Sequence, residues 1–141
     1  MIMTRNARKR QGGFSLIEGL VAILIFSFGI LALVSMQASS IQQSTGAKYR
    51  SEASLLANQL IGQMWVTDRT ATTLQTNFNT GGVGYNAWLA NVQATLPTAA
   101  ASAPTVSVSA AGVATINLFW KAPNEESSAP AHRFTTVAQI K

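Results

Sequence analysis

The sequence predicts an α+β fold in which one long N-terminal helix, membrane-spanning in its first half, packs on a small C-terminal antiparallel β-sheet. Three observations predict this fold. Residues 14–36 form an apolar block, residues 37–66 continue with helical periodicity and no proline, and the apolar period changes to two within residues 106–140. The 141 residues leave room for one modest folded domain.

Positive charge is concentrated ahead of the apolar block. Residues 1–13 contain Arg5, Arg8, Lys9 and Arg10 and no acid, which is four of the net +5 formal charges. The remaining chain has six bases and five acids, a balance of +1. We therefore expect no nucleic-acid partner, because a surface that binds nucleic acid needs basic residues clustered on the folded domain.

The apolar block is long enough to cross a bilayer. The uncharged stretch from Gly19 to Val34 has Ser27 as its polar interruption, and with its flanks it reaches the roughly 20 residues that span a membrane core. The basic residues precede the block, so the positive-inside rule places residues 1–13 in the cytoplasm and the chain beyond about residue 37 on the far side.

Three other kinds of segment share this hydropathy, and one of them, a buried core helix, is not expected in so small a domain. A cleaved secretory signal is cut after its apolar run, and Met36-Gln37-Ala38 is a poor site for that cut. An uncleaved signal anchor accounts for the hydropathy and the orientation equally well. It leaves unexplained the Gly12-Gly13 pair and the acid at position 18.

Glu18 is a carboxylate near the start of the predicted membrane helix, where acids are costly and are functional candidates by default. The span contains no Lys or Arg to pair with it. If the chain is cut between Gly13 and Phe14, the new α-amine of Phe14 lies four residues before Glu18. That amine could pair with its own Glu18 or with that of a packed neighbour. The alternative is an incidental carboxylate that snorkels or is protonated.

The run RKRQGGFSLIE, from Arg8 to Glu18, resembles the processing site of type IV prepilins and pseudopilins. The resemblance implies that a membrane-embedded aspartyl prepilin peptidase cuts after Gly13 and then methylates the α-amine of Phe14. It also implies that Glu18 becomes the fifth residue of the mature chain and neutralises a neighbour's N-terminus during assembly.

The same resemblance implies a domain organisation and a set of partners. Residues 1–13 would be a cleaved cytoplasmic leader, residues 14–36 a transmembrane and assembly helix, and residues 37–141 a periplasmic pilin head. The expected partners are the prepilin peptidase/methyltransferase, other minor and major pilins, the inner membrane and the pilus assembly platform. The chain would reside in the inner membrane as a single-pass protein and then in the pilus, with no cofactor and no metal.

Two later stretches resemble PilV-type minor pilins, also called type IV pilus modification proteins. They are SEASLLANQLI at residues 51–61 and ATINLFWK at residues 114–121. The resemblance implies a minor subunit that takes part in pilus assembly or priming. The alternatives are a type II secretion pseudopilin, and an adhesin or DNA-uptake pilin. The short chain and the absence of cysteine disfavour a major subunit.

Apolar spacing predicts the helices beyond the membrane segment. Residues 37–66 carry an apolar stripe that we expect to be core, whereas residues 67–84, rich in Thr, Asn and Gly, are predicted to be a loop. A short helix is predicted over 86–96, ended by Pro97. The stripe consists of Ile41, Tyr49, Ala53, Leu56, Leu60 and Met64.

The period of two predicts three or four antiparallel strands. Val106 and Val108 mark the first strand, and Ala110-Ala111-Gly112 is predicted to be a turn. One face of the second strand should cover the long helix, and residues 122–131 should form an exposed loop before the third strand. That face of the second strand comprises Ala114, Ile116, Leu118 and Trp120, and the third strand carries Phe134, Thr136, Ala138 and Ile140.

The sequence shows no catalytic pattern, so we expect no enzyme. Without cysteine it has no thiolate zinc site and no cysteine nucleophile. His132 is the one histidine and is expected at a loop or strand start without nearby acids, and Glu125 and Glu126 are expected to be solvated in a Pro- and Ser-rich loop. Trp120 is expected to belong to the core rather than to a ligand site.

Overall fold

The structure is a computed structural model that describes residues 14–97, 102–123 and 125–141. Three helices precede three strands, which confirms the predicted α+β class. The helices are α1 (Phe14–Val66), α2 (Ala71–Phe78) and α3 (Val83–Thr95), and the strands are β1 (Thr105–Val108), β2 (Val113–Trp120) and β3 (His132–Gln139).

Helix α1 has 53 residues and contributes to two compact units, and the chain divides between them after Gln42. In the first unit, all the residues that the structure describes belong to α1, and every side chain described from Ser15 to Gln42 is exposed. In the second unit, α1 supplies part of a hydrophobic core. The same helix therefore has an apolar exposed segment and an amphipathic packed segment.

The predicted apolar stripe on α1 is largely confirmed. Its buried members are one or two turns apart on one face of the helix, and Tyr49 is half-buried beside them. Ile41 was wrongly included in this core, because its side chain is 64% exposed. The buried members are Ala53, Leu56, Leu60 and Met64.

The prediction of a loop over residues 67–84 was wrong for α2. Thr70 caps this helix, since its hydroxyl accepts a hydrogen bond from the backbone N–H of Thr73 at 3.4 Å. Leu74 and Phe78, four residues apart, are both buried and attach the helix to the core. After α2 the chain turns through Gly81 with a φ of +94°, a conformation that favours glycine.

The predicted short helix before Pro97 is confirmed as α3, which begins three residues earlier than expected, at Val83. Two buried aromatic side chains on it satisfy their polar atoms. The indole Nε1 of Trp88 donates to the Leu56 carbonyl oxygen at 2.9 Å, and the Tyr85 hydroxyl donates to the Pro104 carbonyl oxygen at 2.7 Å. Trp88 thus connects α3 directly to the packed segment of α1.

The sheet is antiparallel in the order β1-β2-β3, with three strands among the residues described. Its central strand has the predicted alternation, and the even-numbered residues of β2 are all buried. The predicted turn before β2 is confirmed, with Gly112 at a φ of +78°. A Cβ on Gly112 would lie 2.4 Å from Cβ of Lys141, so a side chain there is excluded by the close approach of the C-terminus.

Candidate functional site at the N-terminal helix

The sequence predicts three site residues at the start of α1. Gly13 lies outside the residues that the structure describes, Phe14 is the first residue of α1, and Glu18 lies four positions farther along. Four residues of helix rise by about 6 Å and return to nearly the same face. Glu18 therefore lies a little over one turn after the first residue of α1, on nearly the same face of the helix.

The start of α1 also has its own electrostatic character. The first four backbone N–H groups of a helix lack partners within the helix, and its N-terminus carries a partial positive charge. The Glu18 side chain is exposed, and it makes no hydrogen bond or ion pair with another described residue. A carboxylate in this position can accept a charged partner from another molecule.

The surroundings of Glu18 along α1 are apolar and uncovered. Leu16, Leu20 and Ile23 are each more than 60% exposed, as are several apolar residues in the turns that follow. One helix in the described part of the chain is long and apolar enough to cross a membrane, with a mean hydropathy of 2.5 in its most apolar part. No residue of that part is buried within the protein. This surface requires lipid or other helices around it.

A comparison with protein families adds to this geometry. The family described as the prokaryotic N-terminal methylation motif matches residues 8–34, about a fifth of the chain. The match supports a type IV pilin-like protein. The matched range runs from Arg8 through Gly13, Phe14 and Glu18 into the apolar segment of α1. No curated protein and no solved structure matches the chain.

For a pilin-like chain, the motif implies processing by a prepilin peptidase and assembly with other pilins. Together with the apolar helix, it fits anchoring in the inner membrane. Proteins with this motif are structural rather than catalytic. Within the described residues, no three His, Asp or Glu side chains come together in a group that could hold a metal ion.

In the second compact unit, the structure corrects the prediction for His132. The ring Nε2 of His132 lies 2.7 Å from Oε1 of Glu125, so this histidine has an acid beside it and Glu125 is not simply solvated. The other oxygen of Glu125 accepts a hydrogen bond from the Ala122 N–H at 3.2 Å. The hydrogen bond from His132 is the main cause that holds the pKa of Glu125 below its ordinary value.

This pair lies against the end of the core. The His132 ring stacks on Trp120 with a centroid separation of 5.7 Å, and Trp120 itself is buried, as predicted. Glu125 and His132 are seven residues apart, so helical or strand spacing does not reveal the pair. The signal in the sequence for this pair was the predicted antiparallel pairing of the second and third strands, because a hairpin brings the two ends of its loop close together. The pair closes the loop between the two strands.

Proposed function

We propose that this chain is a PilV-type minor pilin that takes part in the assembly and priming of a type IV pilus. The observation that carries the proposal is the methylation motif over residues 8–34, which contains the glycine, phenylalanine and acid in the required order. The exposed apolar segment of α1 supports it, because a filament core built of packed helices would cover that surface. The resemblance of residues 51–61 and 114–121 supports the narrower assignment.

In this proposal the prepilin peptidase cuts between Gly13 and Phe14 and methylates the new α-amine of Phe14. Gly13 has no side chain, which suits an extended segment in a narrow protease cleft. The four positive charges of residues 1–13 keep the leader in the cytoplasm until the cut. The head, residues 37–141, is then periplasmic and enters the pilus with the membrane helix.

Glu18 acts during assembly by pairing with the methylated α-amine of a neighbouring subunit. Both charges would leave water as the helices pack, so each needs the other in a medium of low dielectric constant. Removing one partner of a buried pair costs about 3–5 kcal/mol, because the remaining charge is left uncompensated. The pair forms with a neighbour only on assembly, so Glu18 would favour the packed state over the free subunit in the membrane.

Replacement of Glu18 tests this role. We expect Glu18→Ala to be inserted and cleaved normally but to enter filaments at least roughly 100-fold less than the unaltered chain, as the loss of a buried pair implies. The measurement is the amount of subunit in sheared filaments relative to the amount of processed subunit in membranes. Glu126→Ala is the matched control, because it removes an exposed acid from the head. Equal incorporation of the Glu18 and Glu126 variants would refute the pairing role.

A pseudopilin of a type II secretion system would use the same N-terminus, and the methylation motif fits it equally. The two functions differ in the assembly that contains the processed chain. Deletion of a pilus subunit should abolish surface filaments and leave secreted enzymes in the medium, whereas deletion of a pseudopilin should retain those enzymes in the periplasm. We expect the first result.

A further inference from the structure

Strand β3 has one edge that no described residue covers. It pairs with β2 along one side and is the last strand of the sheet. Ile140 N–H donates to the Gly112 carbonyl at 2.9 Å, which continues the β2–β3 register. Because alternate residues of an antiparallel strand bond to the same neighbour, the even-numbered residues of β3 face β2.

The hydrogen bonds of β1 support this assignment. Ser109 N–H donates to the Val113 carbonyl at 2.9 Å, so the odd-numbered residues of β2 face β1 and its even-numbered residues face β3. The backbone N–H and C=O groups of four residues in β3 therefore point away from the sheet. These residues are Arg133, Thr135, Val137 and Gln139.

Proteins usually protect such an edge with proline, bulges, very short strands or several charges. Strand β3 has eight residues, continuous pairing with β2 and no proline. Its odd-numbered residues carry one charge, at Arg133, and Val137 among them is 61% exposed. The edge thus lacks most features that prevent the addition of another strand.

The inner face of the sheet is also less covered at β3 than at β2. The even-numbered residues of β2 are buried, whereas Phe134, Thr136 and Ala138 opposite them are half-buried. Phe134 and Ala138 pack on the border of the core. A further strand beside β3 would therefore gain both backbone hydrogen bonds and apolar contacts.

We propose that the outer edge of β3 binds an extended segment of a different subunit of the same assembly, which adds to the sheet as a fourth strand. This inference rests on the proposed function, since it deepens the account of how the head joins its neighbours. The segment has apolar residues on the side that continues Phe134 and Ala138, and an acid placed near Arg133. A second copy of β3 fits less well, because the strand contains a base and no acid.

Amide hydrogen exchange tests the proposal with single-residue resolution. The full chain is compared in native envelope membranes and in membranes of a host that contains the prepilin peptidase but no other pilin-like protein. We expect the N–H groups of the odd-numbered β3 residues to exchange at least about tenfold more slowly in native membranes, while the even-numbered ones do not change. The alternation is specific to an added strand.

Three results would overturn the proposal. The odd-numbered amides could exchange equally fast in both membranes, or they could already be slow in the host without other pilins, which would indicate self-association. Slowing of all β3 amides without alternation would indicate a covering side-chain contact instead. The N-terminal residue is determined on the same samples, so failure of the edge interaction is distinguished from failure of the pilin assignment.

A set of variants at the edge provides a second test. Val137→Pro removes an outward N–H and should abolish the slowed exchange at the remaining odd positions, whereas Val137→Ala keeps that N–H and should retain it. Both should melt at nearly the same temperature in detergent. Thr136→Pro removes a hydrogen bond to β2 and should lower the melting temperature clearly. This variant is the control for a loss of folding stability. Retained slowing in Val137→Pro would contradict the proposal.

Discussion

The two segments of α1 differ in how their apolar residues are covered. From Ser15 to Gln42 every described side chain is exposed, although the sequence there is mostly Leu, Ile, Val, Phe and Ala. From Ala53 to Met64 most of the apolar residues lie on one face and are buried in the core of the head, whereas Leu55 is exposed. One helix thus contains a surface that the chain completes by itself and a surface that other molecules must complete.

The difference between the two segments of α1 indicates which parts of the chain would carry the proposed function. Within the head, the buried polar atoms of Trp88 and Tyr85 donate to the carbonyl oxygens of Leu56 and Pro104. The exposed segment offers Glu18 with no partner among the described residues and an apolar surface with no cover. A subunit of an assembly needs both properties, since it must fold alone and then bind its neighbours.

The same substitution in the two segments should give the largest contrast. Leu60→Ala removes a side chain that is fully buried, and we expect it to lower the free energy of unfolding of the head by about 2–5 kcal/mol. Leu24→Ala alters a side chain that is 55% exposed and should leave this free energy unchanged. Thermal and denaturant unfolding of the full chain in detergent measures both. Similar losses would contradict the division of α1.

An introduced charge should be harmful within residues 14–36 and tolerated at an exposed position of the head. Leu24→Arg places a guanidinium in the proposed membrane span, at a cost of about 2.5–3.5 kcal/mol, and should reduce the fraction of chain that resists alkaline extraction from membranes. Leu55→Arg introduces the same group at a position of the head that is 71% exposed. We expect its effect on stability to stay within about 0.5 kcal/mol. Equal membrane retention of the two variants would show that residues 14–36 do not span lipid.

Within the head, the cap of α2 should have a smaller effect. Thr70→Ala removes the hydroxyl that accepts from the Thr73 N–H, and we expect a loss of about 1 kcal/mol in the free energy of unfolding. Thr72→Ala is the matched control on the same helix, because Thr72 is exposed and is not the capping residue. If both variants unfold alike, the cap does not stabilise α2.

The pair of Glu125 and His132 should have the smallest effect, because exposed ion pairs contribute little. The pKa of Glu125 is lowered on folding, so its contribution to stability is complete above its ordinary pKa of 4.5 and is lost as pH falls through the lower folded value. We expect Glu125→Gln to melt below the unaltered chain at about pH 6, and we expect this difference to shrink as the pH falls below 4.5. A difference that grows on acidification would contradict this sign.

The long elements could be predicted from the sequence because each contains a sustained period. The apolar residues of β2 alternate over eight positions, and those of α1 recur on one face through Met64. The extent of burial along α1 was not predictable in the same way. Ile41 continues the spacing of the stripe, yet it lies before the point at which the core begins.

Helix α2 was missed because local propensity opposes it. Its eight residues include three threonines, which are β-branched and poor helix formers. The helix forms because Thr70 caps it and because Leu74 and Phe78 reach the core together. These tertiary contacts are invisible in a short window of sequence. The Glu125–His132 pair was missed for a related reason, since it depends on the β2–β3 hairpin.

The candidate site could be proposed from the sequence alone, because its residues are close together in the chain. Gly13, Phe14 and Glu18 lie within six consecutive residues, so their order alone shows the chemistry that a cut would create. The edge of β3 required the structure, because the direction of each N–H depends on the hydrogen bonds at Ile140 and Ser109.

The N-terminal residue of the chain purified from cell envelopes tests the central claim most directly. Intact-mass and fragment-ion mass spectrometry should show a chain that begins at Phe14 and carries one added methyl group on its α-amine. Such a chain would contain the amine that Glu18 is proposed to bind. A chain that retains residues 1–13, or one that begins beyond Val34, would lack that amine at this position and would contradict the account.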